Sequence, residues 1–167
     1  MRSQVARATA AGVLFLALTA CTPAGGGRVG LTLGEDGHLT VAVAWCDRAP
    51  DTVVVHRHSG GESLDQARVS GPALTGDGIG FVDLEELPAG WSVTEGDLDL
   101  REDQFYEVSA FRSGVQLTYG SVTLRAGHEK ALYRDRIVIQ YYDDGSQYGY
   151  DVKLTQDGLK KQAQEWC

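Results

Sequence analysis

Residues 29–46 read VGLTLGEDGHLTVAVAWC, and this stretch decides the fold class. Two apolar runs, Val29 to Leu33 and His38 to Cys46, flank Gly34-Glu35-Asp36-Gly37, where turn residues tolerate positive φ; the pattern predicts a β-hairpin. In the second run Leu39, Val41, Val43 and Trp45 alternate with Thr40, Ala42 and Ala44. Period-2 alternation of large and small groups suits a strand that faces a core on one side. Downstream, Asp47 to Pro50 turns the chain into Thr52 to Arg57, too β-branched to favour a helix.

Further strands are expected at Gly80 to Glu85, Trp91 to Thr94, Phe105 to Phe111, Val115 to Leu124, Leu132 to Tyr142 and Gln147 to Leu154. Ser113-Gly114 and Asp143-Asp144-Gly145 punctuate two more hairpins. Residues 59–78 carry the weakest periodicity and read as a mobile surface loop. A single helix is expected at the C-terminus. Thr155 can cap it, Asp157 falls in the first turn, and Leu159, Ala163 and Trp166 recur at helical spacing. So short a helix needs tertiary docking, which Trp166 against the sheet would supply.

Upstream of the hairpin, residues 1–21 read MRSQVARATAAGVLFLALTAC. Arg2 and Arg7 form a basic n-region, Ala8 to Ala17 an apolar h-region, and small residues precede Cys21 at the expected cleavage point. The apolar run to Ala20 is shorter than the roughly 20 residues a transmembrane helix needs. Leu18-Thr19-Ala20-Cys21 resembles the lipobox of bacterial lipoproteins. That resemblance implies residues 1–20 as a signal peptide, lipidation on Cys21, a membrane partner reached through the lipid anchor, and a place on the extracytoplasmic face of the cell membrane. Residues 21–27, Gly-rich and aperiodic, then read as a flexible tether, and residues 28–167 as one β-rich domain.

The chain has three cysteines, Cys21, Cys46 and Cys167. If Cys21 carries lipid, the other two have one possible pairing, and a Cys46–Cys167 disulfide is expected. There is no Cys-x-x-Cys, and each of the two follows a tryptophan, which suits a buried staple better than a reactive thiolate.

The net charge is −8 at pH 7, and becomes −10 once Arg2 and Arg7 leave with the signal peptide. Such a balance argues against nucleic acid as a partner, since its phosphates call for a basic face. It also argues against electrostatic recruitment to anionic lipid.

Leu39 to Trp45, then Thr52 to Arg57, and then Leu100 six residues before Tyr106 in Tyr106-Glu107-Val108-Ser109-Ala110-Phe111 resemble strands B, C and F of a fibronectin type III-like domain. Val115 to Leu124 is similar to its G strand. The resemblance covers residues 29–125 and implies a mainly β chain, an antiparallel β-sandwich of fibronectin type III/Ig-like kind, here with an added C-terminal hairpin and a terminal α-helix. Glu102-Asp103 departs from the Pro-Gly usual in that family, and residues 126–167 have no counterpart in it. The whole mature pattern also resembles small lipoproteins of high-GC Gram-positive bacteria, which implies no particular activity.

Signatures of catalysis are absent from the sequence: there is no Gly-x-Ser-x-Gly elbow, phosphate loop or dinucleotide fingerprint, and no cofactor is implied. His56 and His58 are the best metal candidates, because residues two apart on a strand share a face and imidazole suits zinc or copper. A third ligand is required, and His38, His128, Asp47 and Asp51 are not placed by sequence. The acidic stretch Glu95 to Asp103 lacks the ligand spacing of a calcium loop. Tyr133, Tyr141, Tyr142, Tyr148 and Tyr150 form the most suggestive binding set, with Tyr141, Tyr142, Tyr148 and Tyr150 as candidates because some of these rings would share a face if Asp143 to Ser146 closes a hairpin; the competing reading makes half of the set packing partners. The chain therefore reads as a non-catalytic, tethered binding or scaffolding domain with an envelope protein or glycan partner. An envelope enzyme or metal-binding protein using His56 and His58 is the alternative.

Overall fold

The computed structural model describes residues 24–59, 61–101, 103–115, 117–125, 132–141 and 150–167. They form two packed sheets and one helix. The first sheet runs in the order β1 (Ala24–Gly25), β9 (Leu117–Arg125), β8 (Phe105–Arg112), β4 (Thr52–Ser59), β5 (Glu62–Ser70), β7 (Ser92–Gly96). The second runs β11 (Tyr150–Leu154), β10 (Ile137–Tyr141), β2 (Gly27–Leu33), β3 (Leu39–Trp45), β6 (Ile79–Asp83). Every pairing is antiparallel except the short β1, which lies parallel to β9. The chain is thus a mainly β, antiparallel sandwich with one C-terminal helix, α1 (Gln156–Trp166).

Within residues 29–46 the expected hairpin is present. Leu33 pairs with Leu39 and Gly27 with Trp45. The turn closes through Gly34 N–H to His38 O at 2.8 Å and Gly37 N–H to Gly34 O at 3.0 Å, with Gly37 at φ +88°. Between the sheets, Val41 and Val43 of β3 meet Val53 and Val55 of β4, Val108 of β8 and Val122 of β9. Tyr119 is fully buried beside them and donates its hydroxyl to the Arg48 carbonyl. Burial pushes its phenol up to about 12.

The small face of β3 is not left to solvent. Ala42 and Ala44 lie under α1 with Ile137, Ile139, Leu159 and Ala163 in a second buried cluster. Alanines are what this strand needs there, because larger side chains would hold the helix off the sheet. In the next strand Gly30 serves β10 in the same way: a Cβ would stand 2.4 Å from Ile137 Cγ2 and 2.8 Å from the Val138 carbonyl. Thr155 caps α1, its hydroxyl accepting from Gly158 N–H at 3.1 Å. Cys46 and Cys167 sit at disulfide distance with Cα atoms 6.0 Å apart, fastening the helix's last turn to the end of β3.

Four expectations need correction. Residues 62–70 of the supposed loop are β5, paired with β4 on one side and β7 on the other, with Ala67 and Val69 buried in the core. The supposed tether is folded from Ala24: β1 pairs with Leu117 and Thr118, Gly26 N–H donates to Thr118 O at 2.9 Å, and Gly26 O accepts from Cys46 N–H at 3.0 Å. The strand expected from Leu132 begins at Ile137, because Thr32 Oγ1 lies 2.9 Å from both the Tyr133 and Arg136 carbonyls and holds the chain in a tight turn. Finally, Trp166 meets the sheet through Arg28 of β2, whose guanidinium lies 3.9 Å from its ring centre, and otherwise remains half exposed at 52%.

The segments compared with strands B, C and F are β3 in one sheet and β4 and β8, paired, in the other. Tyr106, buried as the second residue of β8, accepts at its hydroxyl from Arg101 N–H at 2.8 Å. Strand directions give the sandwich two ends. At one lie β1, Trp45, Thr52, Leu117 and the C-terminus of α1; at the other lie the 34–38 turn, Ser59, Asp83, Phe105 and the N-terminus of α1.

Candidate functional site

His56 and His58 occupy alternate positions on β4 and share its outer face. The strands beside them supply acids, and these engage the rings separately. His56 Nδ1 lies 2.8 Å from Asp65 Oδ1 of β5, and His58 Nε2 lies 3.2 Å from Glu107 Oε2 of β8. Asp51 is committed elsewhere, its carboxylate 3.4 Å from Arg112 Nη1 and 2.8 Å from Ser113 N–H. Asp47 is not brought to the pair, and His128 lies outside the described residues. Among the described residues no three His, Cys, Asp or Glu side chains gather in a group that could hold a metal.

His38 and Asp83 form the most polarised pair. Nδ1 of His38 is 3.0 Å from Oδ2 of Asp83, while Oδ1 of Asp83 accepts from Glu85 N–H and Glu86 N–H, both at 2.8 Å. The hydrogen bond His38 donates to the Asp83 carboxylate, reinforced by the negative field of Asp83, Glu85 and Asp36, holds the His38 imidazole above its ordinary value. Burial would raise the Asp83 carboxyl, but the Glu86 and Glu85 amides and His38 outweigh it, and the net shift is downward. Glu85 also accepts from Leu39 N–H at 2.9 Å, so the cluster ties the β2–β3 turn to the end of β6. Its chemistry is that of a structural clasp.

The sign of its pH dependence follows from the two shifts. His38, raised, contributes stability that is fully present below its unfolded value of 6.5 and is lost as pH rises through the folded pKa. Asp83, lowered, contributes stability present above 3.8 and lost as pH falls through its folded pKa. Urea titrations should therefore show the wild type losing stability as pH is raised from about 6 to 8, and Asp83→Asn losing less. Parallel profiles for the two proteins would remove the clasp from the account.

Next to this clasp lies a cleft of about 460 Å³, lined among others by Thr32, Phe81, Asp83, Arg134, Arg136 and Gln156. Both charge signs face it, so it favours neither an anion nor a cation. The acidic stretch from Glu95 is likewise internally wired: Glu95 to Arg68 Nε at 3.2 Å, and Asp97 Oδ1 to Gln66 Nε2 at 2.9 Å and to Asp99 N–H at 3.0 Å.

Of the tyrosines, the structure brings Tyr141 and Tyr150 together as a cross-strand pair, stacked with centroids 6.0 Å apart. Tyr142 and Tyr148 lie outside the described residues. Tyr141 is occupied as a packing partner: its hydroxyl donates to Gln162 Oε1 of α1, and its ring lies 5.2 Å from the Arg28 guanidinium. Tyr150 is exposed, as is Tyr133, over which Lys153 Nζ stands at 4.1 Å.

Sequence reading missed Arg28. It is 7% exposed, and its guanidinium lies 3.9 Å from the centre of the Trp166 ring, which holds that indole at the end of the sandwich. No local pattern announces such a contact, because its two partners are far apart in the chain. Arg28 Nε has no hydrogen-bond partner among the described residues, and the guanidinium lies against the rings of both Trp166 and Tyr141.

No family model, curated protein or solved structure matches this chain. No helix among the described residues is long and apolar enough to cross a membrane.

Proposed function

We propose that this chain is a membrane-anchored lipoprotein whose β-sandwich has a non-catalytic binding or scaffolding role on the extracytoplasmic face of the cell membrane. Cysteine pairing is the observation that carries the reading. With Cys46 and Cys167 at disulfide distance, Cys21 is the one cysteine left over, and it stands where Leu18-Thr19-Ala20 would direct cleavage and lipid attachment. The partner class is an envelope protein or a glycan. Exposed Tyr133 and Tyr150 support that assignment as amphipathic contact surface.

Cys21→Ala tests the anchor. In a host that lipidates exported proteins, the wild type should fractionate with membranes and the variant should move to the soluble extracytoplasmic fraction, retaining its Cys46–Cys167 bond. A variant that stays on membranes, or that misfolds, would place Cys21 in a role other than anchoring.

A further inference from the structure

The structure leaves almost no tether. Cys21 and Ala24 are separated by three residue steps, which span at most about 10–11 Å, and Ala24 is already paired with β9. A headgroup layer is about 5–8 Å thick on each side of the hydrocarbon core. A lipid on Cys21 would therefore bring the β1 end of the sandwich to the bilayer surface, with stand-off limited to roughly 2–6 Å.

Two exposed apolar groups flank β1. Trp166, 52% exposed, lies against Gly25: a Cβ there would be 3.8 Å from Trp166 Cβ. Val115, 37% exposed, is in the β8–β9 turn and lines with Gly25, Cys46 and Cys167 a shallow cavity of about 370 Å³. Indole favours the membrane interface, where its ring meets acyl chains and its N–H meets water and headgroups. Stacking on Arg28 fixes the ring's position.

Charge on the described loops points the same way. The end away from β1 carries Glu35, Asp36, Glu85, Glu86, Asp97 and Asp99. At the β1 end, Asp51 is paired with Arg112 and Asp77 with Lys160, Asp47 and Arg48 line the same cavity as Val115, and Glu165 stands in the last turn of α1. An anionic leaflet repels the first end more than the second.

We propose that the β1 end, with Trp166 and Val115, docks on the phospholipid surface and turns the acidic end outward. The proposal rests on lipidation of Cys21. The contact is weak by itself, but a short tether gives an effective concentration on the order of millimolar, so a small apolar patch suffices.

Full-length lipidated protein in phosphatidylethanolamine/phosphatidylglycerol vesicles tests the orientation, using lipids brominated near the top of the acyl chain to quench tryptophan. Wild-type emission should be quenched, and Trp166→Phe should lose most of that quenching. Val115→Trp on the Trp166→Phe background should restore it, and Glu35→Trp should not. Vesicle flotation reads the anchor separately. Protein that floats with the vesicles yet shows no quenching, or shows equal quenching from positions 115 and 35, overturns the docking while leaving the anchor intact; protein that does not float overturns the anchor, and the docking with it.

Discussion

Cys46→Ser should cost about 2–5 kcal/mol and lower the melting temperature by roughly 5–15 °C. The bond closes a sequence separation of 121 residues, and on the chain-entropy account a loop of that order restrains the unfolded chain by about 4–5 kcal/mol. Its effect on the folded state is concentrated at one place. Cys167 is the C-cap of α1, so the staple holds the helix at its last turn while Thr155 organises its first. Without the bond, the C-terminal turn should fray first. Amide exchange should then accelerate over residues 160–167 well before the sandwich opens, and calorimetry should report the fall in melting temperature. A variant melting within about 1 °C of the wild type would mean that packing alone docks the helix.

Leu159→Ala should be similarly severe, at about 2–5 kcal/mol. Leu159 is fully buried, and with Ala163 it forms the helix side of the cluster over Ala42, Ala44, Ile137 and Ile139. An 11-residue helix is marginal on its own, and Gly158 weakens this one further. Truncating its main anchor leaves a cavity that the alanines opposite cannot fill. Denaturant unfolding followed at 222 nm and by tryptophan emission should separate into two transitions, because the helix loses its hold before the sandwich does. Combined with Cys46→Ser, the loss should be smaller than the sum of the two, since both substitutions release the same element. Strict additivity would mean that bond and cluster act on different parts of the fold.

Large parts of this architecture are legible in the sequence because they are local or arithmetic. The 29–46 hairpin follows from alternation around Gly34 to Gly37, the helix from Thr155 and its apolar spacing, and the Cys46–Cys167 pair from an odd count of cysteines. What was hidden depends on neighbours. β5 looks like a loop because Glu62, Ser63, Leu64 and Asp65 are all exposed and its order comes from hydrogen bonds to strands on either side. The Gly60-Gly61 pair between two extended runs was the available hairpin signal. Ala42 and Ala44 look like a solvent face until a helix lies on them. The first residues after Cys21 look like a tether because glycine-rich composition suggests flexibility, yet Gly26 is held from both sides by Thr118 and Cys46.

The candidate site was less legible for the same reason. Spacing placed His56 and His58 on one face, but their acids arrive from β5 and β8, one for each ring, and that separation is a property of strand order. Among the tyrosines, only assembly distinguishes Tyr141, engaged with α1 and Arg28, from exposed Tyr150.

Peptide mass spectrometry of the protein extracted from membranes, without reduction, tests the central claim most directly. The account predicts a mature N-terminus at Cys21 carrying a diacylglyceryl mass, together with a linked pair of peptides containing Cys46 and Cys167. An N-terminus at Met1, or an unmodified Cys21 joined to either of the other cysteines, would contradict it.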